Sequence, residues 1–445
     1  MEHFDIAIIA SYHQEILAAE WFFTIKELGK KCLIITPNPN EFNTLKKQNI
    51  NVVYLNDYFP DSVPSQAEIK RYFSEHKVAD LEAYVATEKS YYEQSNSHIF
   101  HYAYKYASAF DKLYDTISIT TVLHGAQGGE VVRRVASLMA DKHSINVIYL
   151  GEMFIPNTIN LYSDEFRTVL KPVVKRELPA EEAQKIIDDK ISRKPVIHYG
   201  TEKRKYVGTP LIEKFYNLIK DGNWNIIRAY FIRKKIISLD YLKREIYTRL
   251  FGVFKDFKPD EKYFYMPYNV VAESEIYIRN AAFSDPVSVT EKLAKNLPAG
   301  FKLYVKIHPG IEGHLSIEAY RRLVKIENVV PLKGSVNSFD VVKHSQGVIL
   351  VSSTVGLESY IMGKPTCIIG HWPYTPYGNF IVAPDLNEVF DKIMASPKPN
   401  DPVRFIQNVY KESIDGSLYG NAEQFKLMVK NIFDMTYLRD VKNER

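Results

Sequence analysis

The sequence predicts an α/β protein of two Rossmann-like domains facing a cleft and joined by a helical connector. Three observations lead there. Short β-branched apolar runs alternate with amphipathic stretches at both ends of the chain, the pattern of parallel sheets covered by helices on both faces. At 445 residues the chain exceeds what one hydrophobic core usually supports, so two cores are expected. The run GVILVSSTVGLESYIMGKPTCIIG, residues 347–370, reads as strand, tight turn, short helix and strand in immediate succession.

In order, residues 5–10 suit a strand, 14–29 an amphipathic helix, and 31–36 and 51–55 two further strands, each apolar run bounded by polar or glycine breakers. A tyrosine-rich helical stretch fills 65–116. Alternation then resumes with strand 119–123, helix 129–142 and strand 146–150. A second series starts near Phe264, with strands at 301–307, 329–331, 347–351 and 365–369. The expected organisation is a first domain at 1–190, a helical connector at 191–261, a second domain at 262–400 and helices at 401–445 that cross back to the first domain.

Composition narrows the class. Hydrophobic content of 46% and charged content of 25% are those of an ordinary folded protein. A net charge of +4 is too weak for a nucleic-acid footprint yet does not repel an anionic small molecule. Cys32 and Cys367 lie in apolar runs, forming neither a disulfide framework nor a metal set, which fits a reducing compartment. No stretch reaches the length of a membrane span. A cytoplasmic protein is expected, with peripheral contact at the inner membrane face as an added possibility. That contact would use the connector, where Arg228, Arg233, Lys234, Lys235, Lys243, Arg244 and Arg249 alternate with aromatic residues; the alternative is a solvated basic face on an interdomain helix pair.

The chemistry-bearing residues gather at predicted strand ends. In open α/β sheets ligands bind outside the carboxyl ends of the strands. Strand 347–351 ends on Ser352, Ser353 and Thr354 at the start of a helix, where hydroxyls, free N–H groups and the helix dipole favour a phosphate; simple helix capping is the alternative. Strand 301–307 ends on His308, whose imidazole can donate to a phosphate and offset charge on a leaving nucleotide. Lys306 adds positive charge there or is a solvated lysine. Glu358, one turn into the helix, can accept from a ribose or face solvent. Gly356 allows close backbone approach, and Gly363 stops the helix.

In the first domain Glu152 follows strand 146–150 and is the leading candidate for a reacting carboxylate, as base or nucleophile; Glu273 is the alternative. His124 and Gln127, in the glycine-rich turn HGAQGGE, and His13 near the first strand are candidates for the acceptor side. The twelve histidines are scattered and no Asp-X-Asp occurs, so neither a metal nor another cofactor is expected.

The run KYFYMPYNVVAESEIYIRNAAFSDPVSVTEKLAKNLPAGFKLYVKIHPG followed by STVGLESYIMGKPTCIIG, within 262–376, resembles the capsule and surface polysaccharide biosynthesis glycosyltransferases, a group that includes the bacterial β-Kdo transferases. GEMFIPN at 151–157 adds support. The resemblance implies a GT-B fold, a nucleotide-sugar donor held mainly by the second domain, and a glycan or lipid-linked acceptor approaching from the first. Bacterial sialyltransferases share a similar His-Pro and Ser-Ser order, which favours a CMP-linked donor. The chain departs from the family where a histidine and a Pro-Glu pair often stand, carrying Asn269 and then Ala272-Glu273. Two other functions fit the same motifs: transfer of a polyol phosphate from a CDP-linked donor, and noncatalytic nucleotide-sugar binding.

Overall fold

The computed structural model describes residues 2–10, 15–92, 95–124, 130–170, 172, 176–192, 239–270, 273–308, 315–395, 400–418 and 421–434. The chain divides into two compact units, Met1–Pro179 with Ala272–Arg279 and Ile406–Arg445, and Ala180–Val271 with Asn280–Phe405. The α/β class and the two sheets expected from the sequence are those observed. Most of the connector, including its basic residues up to Lys235, lies outside the described residues.

The first unit contains β1 (His3–Ile9), β2 (Cys32–Thr36), β3 (Val52–Tyr54), β4 (Ser118–His124), β5 (Asn146–Glu152), β6 (Thr158–Tyr162) and β7 (Val169–Leu170). Strands β3, β2, β1, β4 and β5 lie side by side in that order, all parallel. Alternation along β1 and β2 sends side chains to opposite faces. Ile6, Ile8, Cys32 and Ile34 meet Trp21, Phe22 and Ile25 of the helix Glu15–Glu27 on one face. Ile9, Leu33 and Ile35 enter the other core with Phe73, Phe110 and Val135. Burial on both faces explains the nearly unbroken apolar runs. β5 continues to Glu152, because an antiparallel ladder with β6 pairs Glu152 with Ile159; the sequence reading ended this strand at 150.

The second unit contains β8 (Tyr263–Pro267), β9 (Lys302–Lys306), β10 (Val329–Leu332), β11 (Val348–Leu350), β12 (Thr366–Ile368) and β13 (Ile381–Val382). Their order is β10-β9-β8-β11-β12-β13, all parallel. Tyr263, Phe264 and Tyr265 are fully buried, and the Tyr263 and Tyr304 rings stack at 4.2 Å across β8 and β9. Asn280 substitutes for backbone beside β12: its side chain accepts from His371 N at 2.6 Å and donates to His371 O at 3.1 Å. A Cβ on Gly370 would lie 2.4 Å from Asn280 Oδ1, so this contact requires glycine.

The tail returns to the first unit from Ile406. Its strand β14 (Ile414–Asp415) pairs antiparallel with β6, and the helix Ala422–Asp434 sets Phe425 edge-on to Trp21 at 4.9 Å. Arg176 fastens it, donating to Ser413 Oγ at 2.9 Å and to Asp415. The first unit's boundary falls after Pro179, ahead of the helix Ala180–Ile191, where the sequence reading carried that domain to 190.

Among the described residues no helix is long and apolar enough to cross a membrane. Cys32 and Cys367 are buried free thiols, both pushed up by burial, Cys367 to about 12.

The helix Val355–Ile361 stops as its glycine predicts. Gly363 has φ +73° and donates to Tyr360 O at 3.1 Å, while Lys364 N donates to Ser359 O at 3.0 Å, together a Schellman motif. Gly363→Ala places a Cβ in the left-handed region and should cost about 1 kcal/mol, measured by urea unfolding followed through the second unit.

Candidate functional site

Strand order locates a crevice in the second sheet. The chain builds β8, β9 and β10 in one direction, then returns to place β11 on the other side of β8. At such a switch point the connections after neighbouring strands diverge and leave a cleft at their carboxyl ends. The residues leaving β8 and β11 are Tyr268-Asn269 and Val351-Ser352. Asn269 Nδ2 donates to the Ser352 carbonyl, and Tyr268 N donates to Lys306 O at 2.9 Å. β8 therefore ties the end of β9 to the end of β11. Asn269 thereby braces the turn.

The three hydroxyls of that turn diverge. Ser352 is 4% exposed. Ser353 Oγ accepts from Val355 N at 3.3 Å, a capping bond. Thr354 is exposed and makes no side-chain capping bond. Gly356 serves packing: a Cβ there would lie 2.9 Å from Leu350 and 3.0 Å from Trp372. The close approach read from the sequence is thus an approach of helix to strand and to Trp372.

His308 is exposed just beyond β9, one strand away from the Ser352 turn, which sets the strands about 10 Å apart. Lys306 is not the solvated lysine considered above. It is 7% exposed and donates to Ser338 Oγ at 2.9 Å, because Lys306 is still inside β9, packed against the start of the helix Ser338–His344, whereas His308 lies beyond the strand's end. Glu358 is half-buried. Its charge acts on the buried Tyr265 phenol, which burial pushes up, and on Lys190, which burial pulls down and Glu358 pushes back up. Tyr265, Ser338 and Lys190 were missed from sequence; they sit mid-strand, at a helix start and on the helix Ala180–Ile191, with no motif to mark them.

The first sheet has its own switch point, between β1 and β4. His13 and Gln127 lie outside the described residues. His124 ends β4 but is fully buried. Its ring stacks on Tyr149 at 4.8 Å, and Nε2 lies 2.8 Å from Ser137 Oγ. Burial, with Arg133 adding repulsion, pulls its pKa down to about 3, so it is a packed neutral imidazole rather than an acceptor-facing one. The N-terminus of the following helix, Val131–Lys142, already has a carboxylate: Val131 N donates to the buried Glu88 at 2.6 Å.

Glu152 closes β5 as part of the ladder rather than after it. Glu273 is exposed and precedes the short helix Ser274–Tyr277, in the segment grouped with the first unit. Asp111, Asp115 and His143 form the one cluster with metal-ligand spacing among the described residues. Lys142 Nζ lies 2.8 Å from both Asp111 oxygens and His143 Nε2 2.7 Å from one. Burial raises the Asp111 carboxyl, and the bonds from Lys142 and His143 bring it below its usual value.

Residues 243–378 match the model of a family described as capsule polysaccharide biosynthesis protein. This match spans β8 to β12, with His308, Ser352 and Glu358. No curated protein sequence matches the chain. Among solved structures, the β-Kdo 2,7 transferase KpsC of Thermosulfurimonas dismutans is 12% identical, with 97% of this chain and 99% of that one covered and a TM-score of 0.38. A UDP-GlcNAc 2-epimerase of Methanocaldococcus jannaschii, in complex with UDP-GlcNAc and UDP, is 14% identical over 97% and 99%, with a TM-score of 0.33.

The neutral His124 gives a pH signature. The unfolded chain takes up its proton near pH 6.5 and the folded chain only near pH 3, so stability falls as pH drops through that interval, by about 1.4 kcal/mol per unit. His124→Phe keeps a ring against Tyr149 and should remove that slope, read as the difference in urea-unfolding free energy between pH 6.5 and 4.5. An unchanged slope contradicts the assignment.

Proposed function

We propose that this chain, whose residues 243–378 match the model of the capsule polysaccharide biosynthesis family, is a glycosyltransferase that moves a sugar from a nucleotide-sugar donor to a glycan or lipid-linked acceptor. The observation that carries this reading is the coincidence of the family segment with a parallel sheet whose switch point presents the Ser352 turn, one strand from His308. The donor's phosphates lie at this carboxyl edge. His308 donates to them and offsets negative charge on the departing nucleotide. Backbone N–H groups at Ser353–Thr354 supply neutral donors, and Glu358 receives the ribose hydroxyls.

Lys306 contributes positive field from below rather than direct contact, since its ammonium is engaged with Ser338. CMP is the favoured nucleotide. A carboxylate, Glu152 or else Glu273, deprotonates the acceptor hydroxyl or attacks the anomeric carbon. No metal is required in this scheme, and the reaction belongs on the cytoplasmic side, where nucleotide sugars are made.

Thermal-shift screening against CMP, CDP, UDP, GDP and their sugars identifies the nucleotide, because a ligand that binds only the native state raises its stability. His308→Ala should then weaken that nucleotide by about 1.5–3 kcal/mol in calorimetric titration, the scale of a hydrogen bond to a charged group. Unchanged affinity in a folded variant removes the main support for the transferase. A product containing phosphorus points to polyol-phosphate transfer, and binding without turnover under any acceptor points to a noncatalytic protein.

Turnover should persist in excess chelator; loss in EDTA with recovery on adding magnesium or manganese contradicts the metal-free scheme. Glu152→Gln should lower turnover about a hundredfold or more while sparing nucleotide affinity. Near wild-type turnover transfers the role to Glu273, tested by Glu273→Gln in the same assay.

A further inference from the structure

We propose that the end of the helix Leu239–Leu250, in the second unit, is a membrane-docking surface whose Ile246, Leu250 and Phe251 enter the interface of a bilayer with anionic headgroups. This surface is independent of the transferase reading and of the carboxyl-edge residues above.

Among the described residues, Leu250 at 76% and Phe251 at 65% are the most exposed of the large hydrophobic side chains, and Ile246 at 47% stands one turn before Leu250. Single exposed apolar residues are ordinary, but three within six positions make a contiguous patch, the kind of feature that marks an interaction site. At 3.6 residues per turn, Ile246, Leu250, Tyr247 and Phe251 share about 140° of the helix surface. The Tyr247 and Phe251 rings meet at 4.5 Å, which joins the two halves of the stripe.

The helix end is built to hold this stripe outward. Gly252 has φ +52° and donates to Arg249 O at 3.3 Å, while Val253 N donates to Thr248 O at 3.1 Å, a Schellman stop. Thr248, off the stripe, is buried, Val253 is fully buried, and Phe254 lies edge-on to Tyr320 at 6.1 Å. One side of the last turn is thereby fixed to the second unit, and the apolar groups on the other side stand in water.

Charge around the stripe selects the partner. Arg249 is exposed beside it and bonds Glu245. Arg321, exposed on the neighbouring helix Ile317–Val324, lies 5.7 Å from the Tyr247 ring, and Lys243 is exposed one turn before Tyr247. In the sequence, 228–251 holds seven basic residues against two acidic ones, Asp240 and Glu245. A second copy of the chain would set this basic rim against itself, and like charges oppose such a pairing. An anionic bilayer meets both demands: the protruding apolar side chains enter the acyl boundary, while the long Lys and Arg stems reach back to the headgroup phosphates.

Vesicle flotation of the full-length protein tests the surface, using vesicles of phosphatidylcholine alone and of equal parts phosphatidylcholine and phosphatidylglycerol. Wild type should float with the anionic vesicles and only weakly with the neutral ones. In the double variant Leu250→Ser with Phe251→Ser, partitioning onto the anionic vesicles should fall at least about tenfold, since two buried apolar side chains are lost from the interface. Both residues are exposed, so this variant should keep the fold, checked by circular dichroism. Phe251→Trp should shift indole emission to shorter wavelength when anionic vesicles are added, the sign of entry into the interface. Equal flotation of wild type and double variant overturns the proposal, because lipid contact then lies elsewhere in the chain, residues 193–238 included. An emission that stays unchanged while the protein floats overturns it equally. So does a wild type that binds no vesicle, and a wild-type dimer lost in the double variant, read by analytical ultracentrifugation, then assigns the patch to a second copy.

Discussion

Each sheet of this protein turns back on its own first strand, and the rest of the structure depends on that reversal. In the first unit β4 is laid beside β1 after β2 and β3 have been placed on its other side; in the second β11 returns to β8 in the same way. Parallel pairing demands a crossover for every strand, so helices cover both faces and the strands become buried apolar runs. Ligand chemistry is then left to the one edge where successive connections part. The bond from Asn269 to the Ser352 carbonyl spans that parting in the second sheet, and fixes the turn on which the donor site is proposed to stand.

The two edges are built differently. In the second unit the edge carries an exposed His308 above an interior ammonium, Lys306, held by Ser338. The Lys306 ammonium thereby lies inside the same carboxyl edge that carries the Ser352 turn. In the first unit the described part of the edge is filled from within: Glu88 takes the N-terminus of the helix Val131–Lys142, and His124 is folded into a stack with Tyr149 and a bond to Ser137. A histidine at a strand's carboxyl end is therefore no guide by itself to a ligand. Burial decides, and here it holds one imidazole neutral and leaves the other in water.

Much of the fold was legible because parallel strands buried on both faces announce themselves as short β-branched runs, as at Ile6–Ile9 and Val348–Leu350. β13 and β14, two residues each, carry no such signal; the pairing of Ile414 with Ile159 exists only once the tail has folded back. Of the candidate site, the strand ends bearing His308 and Ser352 could be read from order and spacing. What could not be read was the direction each side chain takes. Lys306 turned inward, Ser353 capped the helix, and Gly356 made room for Leu350 and Trp372, outcomes set by packing between elements far apart in sequence.

The central claim is that a nucleotide binds at the β8–β11 switch point and reaches His308. Amide hydrogen exchange with and without the nucleotide found by screening tests it most directly, because bound phosphate should slow exchange of the amides it engages. The account predicts added protection at residues 306–308 and 352–357, with little change in the first unit's sheet. Protection confined to the first unit, or none in these two segments at saturating nucleotide, would contradict it.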